Sequence, residues 1–209
     1  MSPPLRRFAE LLLDWNRTVN LTGAGTLEQV EEQIADSGNL LAMPWEGLER
    51  VIDIGSGGGL PAVPLALALP AIEFTLLEAN ARKCAFLEHV AGRLQLRNVV
   101  VLAGRAEQLA HRVELREQFD RAISRAAAPP SVLLELALAF VKPGGDLLAQ
   151  VSNIEPQLLE PAAAILGAGS VRLEHPTGSA GSVLVVDKRQ RTPPAYPRRV
   201  GLPNRKPLA

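Results

Sequence analysis

The sequence predicts an α/β protein whose mostly parallel, doubly wound sheet follows a helical N-terminal extension and ends in an antiparallel hairpin. Three observations predict it. From Val51 onward, short apolar runs alternate with helical patterns. The first run, VIDI, passes through glycines straight into a helix. The last two runs, VRLEHP and SVLVVDK, follow each other across a short Gly/Ser turn, a spacing for a hairpin and not for a crossover.

Taken in order, Leu5, Phe8, Leu12 and Trp15 recur at helical spacing and predict a helix over residues 4–17. Asn20 to Gly25 break it, and Thr26 with Gln29 three residues on has the form of a capping box opening a second helix to about Leu41. Strand 51–54 leads to a helix over 60–69, strand 73–78 to a helix over 81–95, and strand 99–103 to a loop at Ala106-Glu107. A fourth strand lies within 119–126, followed by a helix over 130–141 that Lys142-Pro143-Gly144-Gly145 closes. Strand 146–151, a helix over 155–167 and strands 171–176 and 182–188 complete the pattern. The predicted organisation is one domain over 1–188, with 1–42 as its helical extension, and a Pro- and Arg-rich tail over 189–209.

Composition excludes several classes. The single cysteine, Cys84, can form neither an internal disulfide nor a metal cluster, and fits a reducing compartment. His89, His111 and His175 lack metal-ligand spacing, so no metal is expected. The leucine run near the start is too short for a signal peptide, and the stretch Leu60–Ile72, broken by Pro61, Pro64 and Pro70, is too short for a bilayer span. A cytoplasmic monomer without a membrane partner is the expectation. The 22 basic and 22 acidic residues balance, but unevenly along the chain. From Lys188 on there are seven basic residues and no acidic ones, which leaves 15 basic against 22 acidic before it, a net of −7. Such a tail either meets a polyanion or is simply solvated.

Residues 53–60, DIGSGGGL, follow a strand and open a helix, so their amides can face a ligand. A diphosphate loop needs G-x-G-x-x-G, but position 60 is Leu, and this argues against a nicotinamide oxidoreductase. The spacing Gly55-x-Gly57-x-Gly59, with Asp53 two residues ahead, resembles the first motif of Rossmann-like methyltransferases. Glu78 ends the next strand, where a carboxylate can accept from both hydroxyls of a ribose. Glu107 follows the third strand, where it either meets a ligand or decorates a helix. Arg125 ends the fourth, a place where an arginine must be paired or face a cleft.

Together these residues resemble the RsmG (GidB) family, bacterial enzymes that methylate N7 of a guanine in 16S ribosomal RNA. The likeness runs through Asn20-Leu21-Thr22, Asp36-Ser37, DIGSGGGLPAVPLA (53–66), LLEANARKCAFLEHV (76–90), GRAEQL (104–109), FDRAISRA (119–126) and YPRRVGLPNRKPL (196–208). The resemblance implies a Rossmann-like class I methyltransferase fold and S-adenosyl-L-methionine as cofactor. It implies contacts to that cofactor at Gly55, Leu60, Ala106, Glu107 and Arg125, with Glu78 at the ribose; the glycine motif adds Gly57 and Gly59. Arg125 is the expected positioning residue of the reaction. The implied partner is 16S rRNA or the small ribosomal subunit, with Arg198, Arg199, Arg205 and Lys206 on its phosphates, joined by Arg6, Arg7 and Arg17. The chain departs from the family at Gln33, where histidine is usual, at Gly38 for leucine, and at Ala149-Gln150 for a Lys-Gly pair. Other outcomes of the same fold are a methyltransferase for a small molecule or protein and a non-catalytic RNA-binding module.

Overall fold

The structure is a computed structural model describing residues 1–47, 49–152, 154–176 and 181–208. Helices α1 (Pro3–Val19) and α2 (Leu27–Ser37) come first, and a 3-10 turn (Gly38–Ala42) ends the extension. The alternating region follows as β1 (Arg50–Ile54), α3 (Ala62–Ala68), β2 (Glu73–Glu78), α4 (Ala81–Arg93), β3 (Val99–Ala103), α5 (Ala106–Leu109), β4 (Phe119–Arg125), α6 (Pro130–Ala137) and β5 (Val141–Val151). A 3-10 turn (Pro156–Leu159), α7 (Glu160–Ile165), β6 (Ala168–Glu174), β7 (Ser182–Lys188) and α8 (Leu202–Arg205) complete the chain.

The seven strands form one sheet in the order β3-β2-β1-β4-β5-β7-β6. Strands β1 to β5 pair in parallel, and β7 runs antiparallel to β5 and to β6. The predicted hairpin is therefore present, with β7 inserted between β5 and β6; most of its turn lies outside the described residues. Side chains alternate across the sheet with period two. Val51, Phe74, Leu76, Ile123 and Leu148 join the core under α1 to α4, while Ile52, Ile54, Leu77, Ala122 and Leu147 join the core under α5 to α7.

The predicted faces and caps are in place, with local differences. Phe8 and Leu12 are fully buried, and Trp15 lies against Phe86 and His89 at ring distances of 5.6 and 5.3 Å, which seats α1 on α4. Thr26 accepts from the Gln29 amide at 3.3 Å, but the Gln29 side chain reaches back to Gly25 and not to Thr26. The second helix is shorter than its pattern, because Gly38 opens the 3-10 turn at residues 38–42. Likewise α6 ends at Ala137, and Lys142–Gly145, expected as a loop, belongs to an irregular stretch of β5 where the register against β4 shifts. Pro156 and Pro161 divide the helix expected over 155–167 into a 3-10 turn and a short α-helix.

Residues 189–208, set apart by composition, run against α5 and α6. The Arg116 guanidinium donates to the carbonyls of Thr192, Pro193 and Tyr196 at 2.7, 3.2 and 3.0 Å. Glu117 accepts from the Thr192 amide at 2.8 Å, and the Lys188 ammonium is buried on the carbonyls of Leu138 and Leu166 and on the Thr192 hydroxyl.

Candidate functional site

Strand order reverses between β1 and β4: β1 continues to β2 on one side and pairs with β4 on the other. Open parallel sheets leave a crevice outside the carboxyl ends at this point. A cavity of about 680 Å³ opens here, within the size range of ligand sites. The loop after β1 forms its floor. The amides of Gly55 and Ser56 both donate to the Leu77 carbonyl, at 2.9 and 3.0 Å, folding the loop over β2. Gly55 has φ +71° and a Cβ there would stand 2.8 Å from the Ala127 Cβ, so no other residue fits without strain.

Glu78 fixes the loop from the next strand. Its two carboxylate oxygens accept from the amides of Gly57 (3.0 Å) and Asn80 (2.8 Å). A carboxylate has about four acceptor positions, so each oxygen keeps one for a ligand's hydroxyl. The Asn80 side chain in turn caps α4 through the amides of Arg82 and Lys83. On the opposite wall, α5 presents Ala106 and Glu107, and Glu107 accepts from the Gly201 amide at 3.0 Å. Ser124 donates to the Ile54 carbonyl at 3.0 Å, locking the ends of β1 and β4 together.

Arg125, at the end of β4, turns its half-buried guanidinium toward α2. It donates to the Gln33 carbonyl at 3.2 Å and to the Gln33 side-chain oxygen at 3.4 Å, and stands 3.8 Å from Asp36. Burial lowers its pKa, while Asp36 and Asp53 work against that shift. Beneath the loop, Asp53 is fully buried and neither carboxylate oxygen has a hydrogen-bond partner. Burial pushes its pKa up to about 7, countered in part by Ser56 and Arg125 and reinforced by Glu78.

The structure thus brings Gly55, Gly57, Leu60, Glu78, Ala106, Glu107 and Arg125 onto one cavity. Gly59 stands apart from them: its φ of +80° serves the turn, and a Cβ would meet Val63 at 2.8 Å on the core side. The four tail cations separate as well. Arg198 is held by the fully buried Glu135 through three guanidinium contacts of 2.6 to 3.1 Å, so its charge faces inward. Arg199, Arg205 and Lys206 are exposed. At the other end, Arg6 and Arg7 both pair with Glu10.

Sequence reasoning missed Asn16, Lys83 and Asn204. Asn16 organises the segment whose Leu21, Thr22 and Gly23 line the cavity. Its side-chain oxygen accepts from the amides of Leu21 and Thr22 at 2.7 and 2.9 Å, and its nitrogen donates to the carbonyls of Thr22 and Ala24 at 2.9 and 3.0 Å. The available signal was a polar residue one position beyond Trp15, on the edge of an otherwise apolar helix face. Lys83 and Asn204 line the cavity from α4 and α8, and nothing in their local sequence marks them.

Among the described residues no group of three or more His, Cys, Asp or Glu is placed to hold a metal ion. No described helix is long and apolar enough to cross a membrane.

Comparison with known proteins follows the same lines. The family described as rRNA small subunit methyltransferase G matches residues 1–171. A Deinococcus deserti protein named ribosomal RNA small subunit methyltransferase G is 38% identical over all of this chain and 90% of its own. A Leuconostoc citreum protein of the same name is 37% identical over 98% of this chain and 90% of its own. The apo structure of the S-adenosylmethionine-dependent methyltransferase SibL superposes with a TM-score of 0.63 at 18% identity, covering 90% of this chain and 70% of that one, and bears on the fold alone. With most of its length matched by the family and more than a third of its residues shared with these relatives, the chain belongs to the rRNA small subunit methyltransferase G family.

Proposed function

We propose that the protein is an S-adenosyl-L-methionine-dependent methyltransferase acting on N7 of a guanine in 16S ribosomal RNA, as a cytoplasmic monomer. The observation that carries the reading is the cavity at the β1/β4 reversal, where a glycine floor, the Glu78 carboxylate and the α5 wall converge. These residues fit the cofactor. Glu78 keeps acceptor capacity for a ribose, and Ala106 and Glu107 stand where an adenine is expected.

When bound, the cofactor supplies an electrophilic methyl group on a sulfonium, which the N7 lone pair takes as the carbon–sulfur pair stays on sulfur, with no proton lost. No general base is needed, and the protein's work is alignment, which lowers a barrier by roughly 7–11 kcal/mol when well done. Arg125 suits that task, since Gln33 and Asp36 fix its guanidinium at the cavity's edge. The deep, narrow major groove of an A-form helix hides N7, so an unpaired or extruded guanine is the expected form of the substrate.

The test is transfer of labelled methyl to undermethylated 16S RNA or small subunits, with the product located by mass spectrometry against RNA from cells lacking the gene. Arg125→Ala is expected to lower kcat/KM by about 100-fold, the usual effect of removing a preorganised donor. Donor binding without transfer at low salt would overturn the substrate assignment.

A further inference from the structure

A second cavity, of about 420 Å³, adjoins the first, and the two share Arg125, Ala126 and Ala128. Its walls come from α2, α6 and the facing ends of β5 and β7, with Leu133 and Ile154 as apolar surfaces. Among the described residues its polar side chains are Asp36, Gln150, Ser152 and Ser182, with Arg125 at the boundary. Asp36 accepts from the Asn39 side-chain nitrogen on one carboxylate oxygen at 2.8 Å, and its side chain stays 43% exposed. Gln150 donates its side-chain nitrogen to the Asp36 carbonyl at 2.7 Å, with a longer 3.4 Å contact to the carboxylate. That orientation leaves the Gln150 side-chain oxygen buried with no donor. Arg125, at the boundary, supplies the opposite polarity.

The geometry points to this cavity as the pocket for the target guanine, with Asp36 and Gln150 as its specificity-determining residues. The inference rests on the guanine-N7 reading above. A guanine whose N7 looks into the first cavity places its neighbouring O6 near the boundary, where Arg125 donates. Its N1–H and N2–H₂ donors then enter the second cavity, opposite the Asp36 carboxylate, which Gln150 holds in place through the Asp36 carbonyl. Adenine in the same pose brings a lone pair at N1 and no amino group at C2, leaving the Asp36 carboxylate unmet. A pocket built to hydrogen-bond a group rejects analogues that lack it far more strongly than an apolar slot rejects a misfit.

The experiment uses the full chain and small-subunit RNA in which the guanosine identified by mass spectrometry is replaced, by ligation, with inosine or adenosine. Inosine keeps N7, O6 and N1–H but lacks the 2-amino group. The wild-type protein is expected to methylate the inosine RNA at least 10-fold less efficiently in kcat/KM, and the adenosine RNA not measurably. Equal rates on guanosine and inosine overturn the pocket without any variant being needed. In Asp36→Asn and Gln150→Met, kcat/KM on the guanosine RNA is expected to fall at least 10-fold and the guanosine-over-inosine preference to shrink. Affinity for S-adenosylhomocysteine, measured by calorimetry, is expected to stay within about twofold, which a general loss of structure would not allow. Preference retained in both variants overturns the assignment of these two residues. Failure of the wild-type protein to methylate any guanine of the RNA instead overturns the function and the pocket together.

Discussion

The two ends of the chain both close on the cavity at the β1/β4 reversal, yet they do so by different physics. The N-terminal end is an amphipathic cover. Phe8, Leu12, Val30 and Ile34 bury apolar faces, and one side chain, Asn16, shapes the loop over the cavity. The C-terminal end packs Tyr196 and Leu208 against the second core and is tied down by charge and backbone polarity. Arg116 and Glu117 grip the backbone of residues 192–196, Glu135 holds Arg198, and Glu107 holds the Gly201 amide. A run of basic residues thus contains anchors and free charges together, and only the burial of each partner tells them apart.

The largest expected effect breaks the C-terminal anchor. Glu135 is fully buried, and removing its partner leaves an uncompensated carboxylate in the core. Arg198→Ala is expected to cost about 3–5 kcal/mol, read by denaturant unfolding. A cost below about 1 kcal/mol would show that the segment is held without this pair. The matching cut at the N-terminal end is Asn16→Ala, which deletes four hydrogen bonds to the loop over residues 21–24. At about 0.5–1.5 kcal/mol for each bond, and allowing for water replacing some, a loss of about 2 kcal/mol is expected. Calorimetric donor affinity should fall by about tenfold, because Leu21, Thr22 and Gly23 line the cavity. Unchanged affinity would separate the N-terminal loop from the cofactor site.

This contrast also explains what the sequence disclosed. Period and punctuation exposed the α/β alternation, the hairpin, the glycine floor and Glu78, because each is a local pattern. The C-terminal strap was hidden because its restraints come from Arg116, Glu117 and Glu135, more than 60 residues away in sequence. Arg121 is a similar case: its partners, Asp146 at 2.7 and 2.9 Å and the Trp45 ring beneath it, lie on other elements of the chain. Gly59 adds a different lesson, since a motif does not say which of its glycines serves the turn: at φ +80° a Cβ there would meet Val63.

A pH-dependent effect comes from Lys188, where the strap begins. Burial lowers its pKa to about 8, with Glu117 opposing and Arg116 assisting. Between pH 8 and the ordinary lysine value, the unfolded chain binds this proton and the folded one releases it. Stability from this group therefore rises with pH across that window, with a slope of up to about 1.4 kcal/mol per pH unit. The difference in unfolding free energy between wild type and Lys188→Met should follow that slope from pH 8 to 10. A flat difference would mean that its carbonyl partners keep the ammonium charged. The N-terminal cover has no buried cation of this kind among its described residues, so Lys188 sharpens the contrast.

The smallest effect on stability, and the most direct reading of the strap's outer face, concerns the cations that anchor nothing inward. Arg199 and Arg205 are exposed, so alanine at both is expected to change stability by no more than about 0.5 kcal/mol each. If these residues meet phosphates, RNA affinity should lose salt dependence, the slope of log K against log salt shrinking by about 0.7–0.9 for each contact removed. Arg6 and Arg7 share Glu10, which offsets part of their charge, so replacing them should move the slope less. Equal slopes for wild type and the Arg199→Ala/Arg205→Ala variant would leave the C-terminal segment as a strap alone and move the RNA's electrostatic footing elsewhere on the surface.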